Sequence, residues 1–136
     1  MKIKKKFGAL MLSSVLLLCT LFPTIASAAT TTDSYTATVE NVLGFTIVWH
    51  TQTFTFTYNG TTLSDPKAVS NKVSGSCTVS NKTSNWTYYN TSNGEAYSVA
   101  SCLFGVPTPW GGIGYTAELS ITTDVTRSGF YTSYFN

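Results

Sequence analysis

His50 is the only histidine in this 136-residue chain. It stands beside Trp49 in a strand-like run, where an imidazole is more often a core side chain than a base waiting for a substrate. A serine nucleophile needs such a base, an acid to orient it and a sharp turn to present its hydroxyl, and no Gly-x-Ser-x-Gly occurs. Glycoside hydrolysis asks only for two carboxylates at a suitable separation. Glu95, Glu118 and Asp124 are the candidates, but Glu118 lies on the polar side of an alternating run, as a solvated carboxylate would. Asp-x-Asp-x-Asp clusters are absent, and two cysteines with one histidine cannot complete a zinc site. These residues point away from catalysis; no metal and no cofactor is expected.

What remains is contact chemistry. Trp110 lies in Gly105-Val106-Pro107-Thr108-Pro109-Trp110-Gly111-Gly112-Ile113-Gly114. Prolines and glycines this dense argue against a central strand, so Trp110 is expected on a loop between two strands. A second aromatic cluster, Trp86, Tyr88 and Tyr89, is flanked by Asn85, Asn90 and Asn93. Adjacent Tyr88 and Tyr89 face opposite ways in a strand, so at least one should meet solvent. Aromatic rings beside amides suit sugars, which present apolar faces ringed by hydroxyls. The same rings can anchor a protein partner. Trp110, Trp86, Tyr88 and Tyr89 are therefore the candidate ligand-binding residues.

The destination of the chain follows from its first residues. Lys2, Lys4, Lys5 and Lys6 precede an apolar run from Phe7 to about Ile25, and Ala26-Ser27-Ala28 has the small-x-small pattern of a cleavage site. Residues 1–28 read as a signal peptide and 29–136 as one secreted domain, with a lysine-rich leader of bacterial character. Cys19 follows Leu18, which does not fit a lipid-attachment site. Removing the leader leaves Lys67, Lys72, Lys82 and Arg127 against six carboxylates, a net charge of −2. Such a domain lacks the basic footprint expected of a nucleic-acid binder, and contact with membrane is expected only through the export signal. Cys77 and Cys102 remain, and an even pair in an oxidising compartment is expected to form a disulfide.

The elements that must position these residues are strands. Thr and Ser make up about a third of the mature part, with many aromatics, a composition that fits pleated surfaces. Tyr35, Ala37 and Val39 alternate with polar residues, as do Tyr115, Ala117, Leu119 and Ile121. Phe45, Ile47 and Trp49 occupy odd positions but Phe54, Phe56 and Tyr58 even ones, which predicts a bend or bulge near His50–Gln52. Asn59-Gly60 predicts a hairpin returning through Thr61–Leu63. Further strands are expected over Ala68–Val73, Cys77–Ser80, Trp86–Tyr89, Glu95–Phe104 and the C-terminal Gly129–Phe135. The fold class is all-β: an antiparallel sandwich of about seven to nine short strands, with a small barrel as the alternative. The function expected is a secreted, non-catalytic module holding an extracellular carbohydrate or surface protein. A structural surface subunit and a membrane-active toxin or bacteriocin are the alternatives.

Overall fold

The computed structural model describes residues 27–136. The expected leader, apart from Ser27 and Ala28, lies outside the described residues. Two antiparallel sheets pack face to face. The first contains β1 (Ala29–Glu40), β2 (Thr46–Tyr58), β3 (Leu63–Ser64) and β4 (Ser70–Gly75), and the second is a meander of β5 (Thr78–Tyr89), β6 (Asn93–Thr108), β7 (Gly111–Thr126) and β8 (Tyr131–Phe135). In the first sheet β1 pairs one edge of β2, while β3 and β4 share the other edge. The sheets stay open rather than closing into a barrel.

Alternation decides which side chains meet between the sheets. Val48, His50, Gln52, Phe54 and Phe56 of β2 are all buried. Opposite them β6 contributes the small Ala96, Ser98, Ala100 and Cys102, and β7 the larger Leu119, Ile121, Thr123 and Val125. Small residues on one strand leave room for large ones on the facing strand, the usual route to interior packing density. One apolar cluster joins Phe54, Phe56, Leu63, Val69, Ala96 and Val125, and a second joins Val48, Cys102 and Leu119. Between these positions on β2 lies Gln52, fully satisfied: Nε2 donates to the Ala96 and Ile121 carbonyls and to Ser98 Oγ, and Oε1 accepts from Thr123 Oγ1 at 2.6 Å.

The irregularity expected near His50–Gln52 falls earlier, at Ile47, where Val39 pairs with Val48 but Glu40 with Thr46; no break occurs at His50–Gln52 itself. β2 keeps one parity from Val48 to Phe56, in uninterrupted register with β1. Phe45, Ile47 and Trp49 lie on the other parity, Phe45 and Trp49 exposed, while the polar His50 and Gln52 take inward positions. The hydroxyl-rich composition has its own place in the structure. Across β1 and β2 the outward pairs Thr30–Thr57, Thr32–Thr55, Ser34–Thr53 and Thr36–Thr51 hydrogen-bond at 2.8–3.1 Å. Cross-strand hydroxyl pairs of this kind support a sheet whose outer side faces water.

Asparagines close three hairpins. The Oδ1 atoms of Asn41, Asn59 and Asn90 each accept two backbone N–H groups of the following turn, the Asx geometry that suits this residue. The strand returning after Asn59-Gly60 is Leu63–Ser64, so the expected hairpin forms but with a shorter return. Both flanks of the sandwich are joined by side chains. Asn71 donates to Thr83 and Val99 carbonyls, Ser84 to Val69, and Trp86 to Lys67. On the other flank Tyr131 donates to Asp33.

Candidate functional site

The four aromatic candidates do not share a surface. Trp86 and Tyr89 pack edge to face, centroids 4.8 Å apart, against the first apolar cluster. Their polar atoms are used internally: Trp86 Nε1 donates to the Lys67 carbonyl at 2.6 Å and the Tyr89 hydroxyl to the Ser64 carbonyl at 3.1 Å. These two rings seal the corner where β5 meets the chain between β3 and β4. A bulge between Trp86 and Tyr88 turns Tyr88 onto the outer surface, where it is 42% exposed. Asn90, read above as a source of polar contacts, spends its side-chain oxygen on its own turn.

Trp110 stands far from all three. The loop expected over Gly105–Gly114 is instead two paired strands, with Thr108 opposite Gly111 and only Pro109 and Trp110 at the tip. Proline is tolerated because the hairpin has outrun its neighbours: β5 pairs β6 no further than Leu103, and β8 pairs β7 only from Ile121 onward. Beyond those points both strands are edges. Trp110 ends this projecting arm, 95% exposed. About fifteen extended residues at roughly 3.3 Å each separate it from the Tyr88 end of the sheet.

The register assembles a different group around Tyr88. On the outer face of the second sheet Tyr88 pairs with Glu95, Glu95 with Asp124, and Asp124 with Thr132. The next row reads Asn85, Tyr97, Thr122 and Tyr134. Thr122, on the outward parity, is buried, with Tyr97 and Tyr134 as its cross-strand neighbours. Tyr134 is 41% exposed. Desolvation, then the nearby Asp124, Glu95 and Tyr134, raise the Tyr88 phenol above its ordinary value. Among the described residues neither Glu95 nor Asp124 has an ion-pair partner. Three phenols and two facing carboxylates thus occupy two adjacent rows of one outward face.

Sequence reading named Glu95 and Asp124 only as separate carboxylates and passed over Tyr97 and Tyr134 as site residues. Parity alone puts Glu95 with Tyr97, and Thr122 with Asp124. That these pairs lie side by side, with Tyr134 next to them, is a fact of register. Glu118, the third carboxylate, sits further along the same face opposite Ser101.

Cys77 and Cys102 are neighbours, both thiols in this structure. Cys102 is buried, and desolvation, followed by its hydrogen bond to Cys77, pushes its thiol up to about 12. No group of three or more His, Cys, Asp or Glu arranged to hold a metal ion occurs among the described residues. No protein-family model, no curated protein and no solved structure matches the chain.

Proposed function

We propose that this protein is a secreted, non-catalytic binding module whose glycan-binding surface is the outer face of the second sheet. The observation that carries the reading is the adjacency of Tyr88, Tyr97 and Tyr134 with the facing pair Glu95 and Asp124. Sugar rings stack their apolar faces on such phenols, while carboxylates and a neighbouring amide, Asn85, take hydroxyl hydrogen bonds. The acidic mature charge and the absence of a cation among the described residues of this face favour neutral or amino sugars over acidic ones.

Trp86 and Tyr89, committed to the core, are left out of the proposed surface, and Tyr88 is kept.

The test is retention of the mature protein on insoluble cell walls, chitin, chitosan and cellulose. The expected result is retention on at least one, weakened tenfold or more by Tyr88→Ala or Tyr134→Ala with unchanged thermal unfolding. A protein that stays wholly in solution with every material, or one whose retention ignores both substitutions, overturns the reading.

A further inference from the structure

The strongest exposed apolar features lie at one end of the sandwich, away from the tyrosine face and independent of it. The β1–β2 loop, Asn41–Phe45, presents a fully exposed Val42, a 75% exposed Leu43 and a 66% exposed Phe45, with Trp49 exposed just behind. The β6–β7 arm presents Trp110 at its tip and an exposed Tyr115 stacked on Phe104 nearer its base. Val39 and Ile47, which flank the loop, pack with Phe104 and Ala117, which flank the arm, in one cluster. Loop and arm therefore leave the same end of the molecule. Surface aliphatics occur singly on most proteins; five large apolar side chains on the projections of one end do not.

We propose that this end docks on a lipid surface, with Val42, Leu43 and Phe45 entering the acyl region and Trp110 and Tyr115 resting among the headgroups. Three observations select a bilayer over a protein partner. First, no Asp, Glu, Lys or Arg occurs from Asn41 to Ser64 or from Ala96 to Ala117. Both projections therefore match an uncharged, apolar medium and offer nothing to a charged partner surface. Second, the loop pairs most of its own backbone donors. Asn41 Oδ1 accepts the Leu43 and Phe45 N–H groups at 3.0 Å, Gly44 N–H donates to the Asn41 carbonyl, and Asn41 N–H to the Phe45 carbonyl. Unsatisfied backbone groups are what keep loops out of hydrocarbon. Four of the five donors from Asn41 to Phe45 are paired within the turn, and the Val42, Leu43 and Gly44 carbonyls are left to interfacial water, so the side chains insert while the backbone stays shallow. Third, the projections are convex. A stable protein interface needs about 800 Å² per partner with matched shape, whereas a fluid bilayer closes around narrow tips.

The arm sets the depth. About five residues per strand project beyond the sheet, roughly 17 Å at the rise of an extended chain, against a hydrocarbon core of about 30 Å. It cannot span. Its two edges carry unpaired backbone groups, so it rests at the interface, where Trp and Tyr are favoured, and leaves insertion to the loop.

The experiment is flotation of the chain beginning at Ala29, which contains both sheets and both apolar clusters, with vesicles of pure phosphatidylcholine. Expected is co-flotation that persists in high salt, with a blue shift in tryptophan emission. Leu43→Asp should reduce binding at least tenfold and Trp110→Ser several-fold, both with unchanged melting temperature because both sites are exposed. Tyr88→Ala should float like the parent, which separates this proposal from the glycan reading. No co-flotation, binding that requires anionic lipid and disappears with salt, or full binding by Leu43→Asp would each overturn it. So would a dimer, formed without vesicles, that Leu43→Asp dissociates.

Discussion

His50 and Gln52 occupy equivalent inward positions on β2, yet only one is paired. Gln52 has partners for both ends of its amide, whereas neither ring nitrogen of His50 has a hydrogen-bond partner. Burial, and after it the Lys82 ammonium, hold the His50 pKa below its ordinary 6.5. A histidine depressed in the folded state takes up its proton first in the unfolded chain. Its contribution to stability is therefore complete above about pH 6.5 and is lost as pH falls from there toward the folded value. Urea unfolding between pH 5 and 7.5 should show that decline, and His50→Phe should flatten it. Because the substitution removes two unpaired polar atoms from the interior, it should also leave stability at neutral pH unchanged or higher. Gln52→Leu has the opposite sign, since it leaves the buried Ser98 hydroxyl without its Gln52 partner and Thr123 Oγ1 with Ser133 alone; a loss of about 1–3 kcal/mol is expected. The nearby thiols give a third expectation at this scale. The chain beginning at Ala29, collected from an oxidising compartment, should show no free thiol until denatured and reduced, and then two. Closing the 25-residue loop between Cys77 and Cys102 by oxidation should raise stability by about 3.5 kcal/mol, read by unfolding with and without reductant.

At the level of elements, two glycines hold strand contacts that no other residue would permit. Gly75 ends β4 at φ +124°, where a Cβ would press on the Ile47 carbonyl oxygen. Gly114, at φ +151°, lies within the arm's return strand opposite Gly105, where a Cβ would meet the Phe104 carbonyl. Gly75→Ala should lower the unfolding midpoint by about 1–3 kcal/mol of stability, read by thermal or urea unfolding. Gly114→Ala should loosen the arm while leaving the midpoint nearly unchanged, seen as faster proteolysis between residues 104 and 115. β2 shows where element reading went astray. Its aromatics change parity at His50–Gln52, and a bend was the economical inference if apolar residues always point inward. The strand instead keeps one face and places polar side chains within it, which it can do for Gln52 because β6 and β7 supply carbonyls and hydroxyls in place. The arm misled in a related way. Proline and glycine argue against a central strand, and beyond Leu103 β6 is not central.

For the molecule as a whole, each surface has a different character. The outer side of the first sheet is a ladder of paired hydroxyls, that of the second carries tyrosines and carboxylates, and one end is apolar and uncharged. A polysaccharide on the tyrosine face would leave that end free, so binding of a soluble oligosaccharide should not compete with vesicle flotation. The two flanks are joined by few bonds, which makes Asn71 informative. Asn71→Ala removes the hydrogen bonds to Thr83 and Val99 that cross from β4 to the second sheet. It should lower stability by about 1 kcal/mol without altering either binding reaction.

The sequence alone determined the all-β class, because alternation, hydroxyl-rich composition and turn residues are local properties that each strand carries with it. It also determined that at least one of Tyr88 and Tyr89 must face away from the core, since successive side chains leave opposite sides of a strand. Which one does so was settled by the bulge after Trp86. The grouping of Tyr88, Glu95, Asp124 and Tyr134 was likewise beyond the sequence. Those residues come from four strands, and only the pairing register, fixed by which faces are buried in the finished sandwich, brings them to one surface.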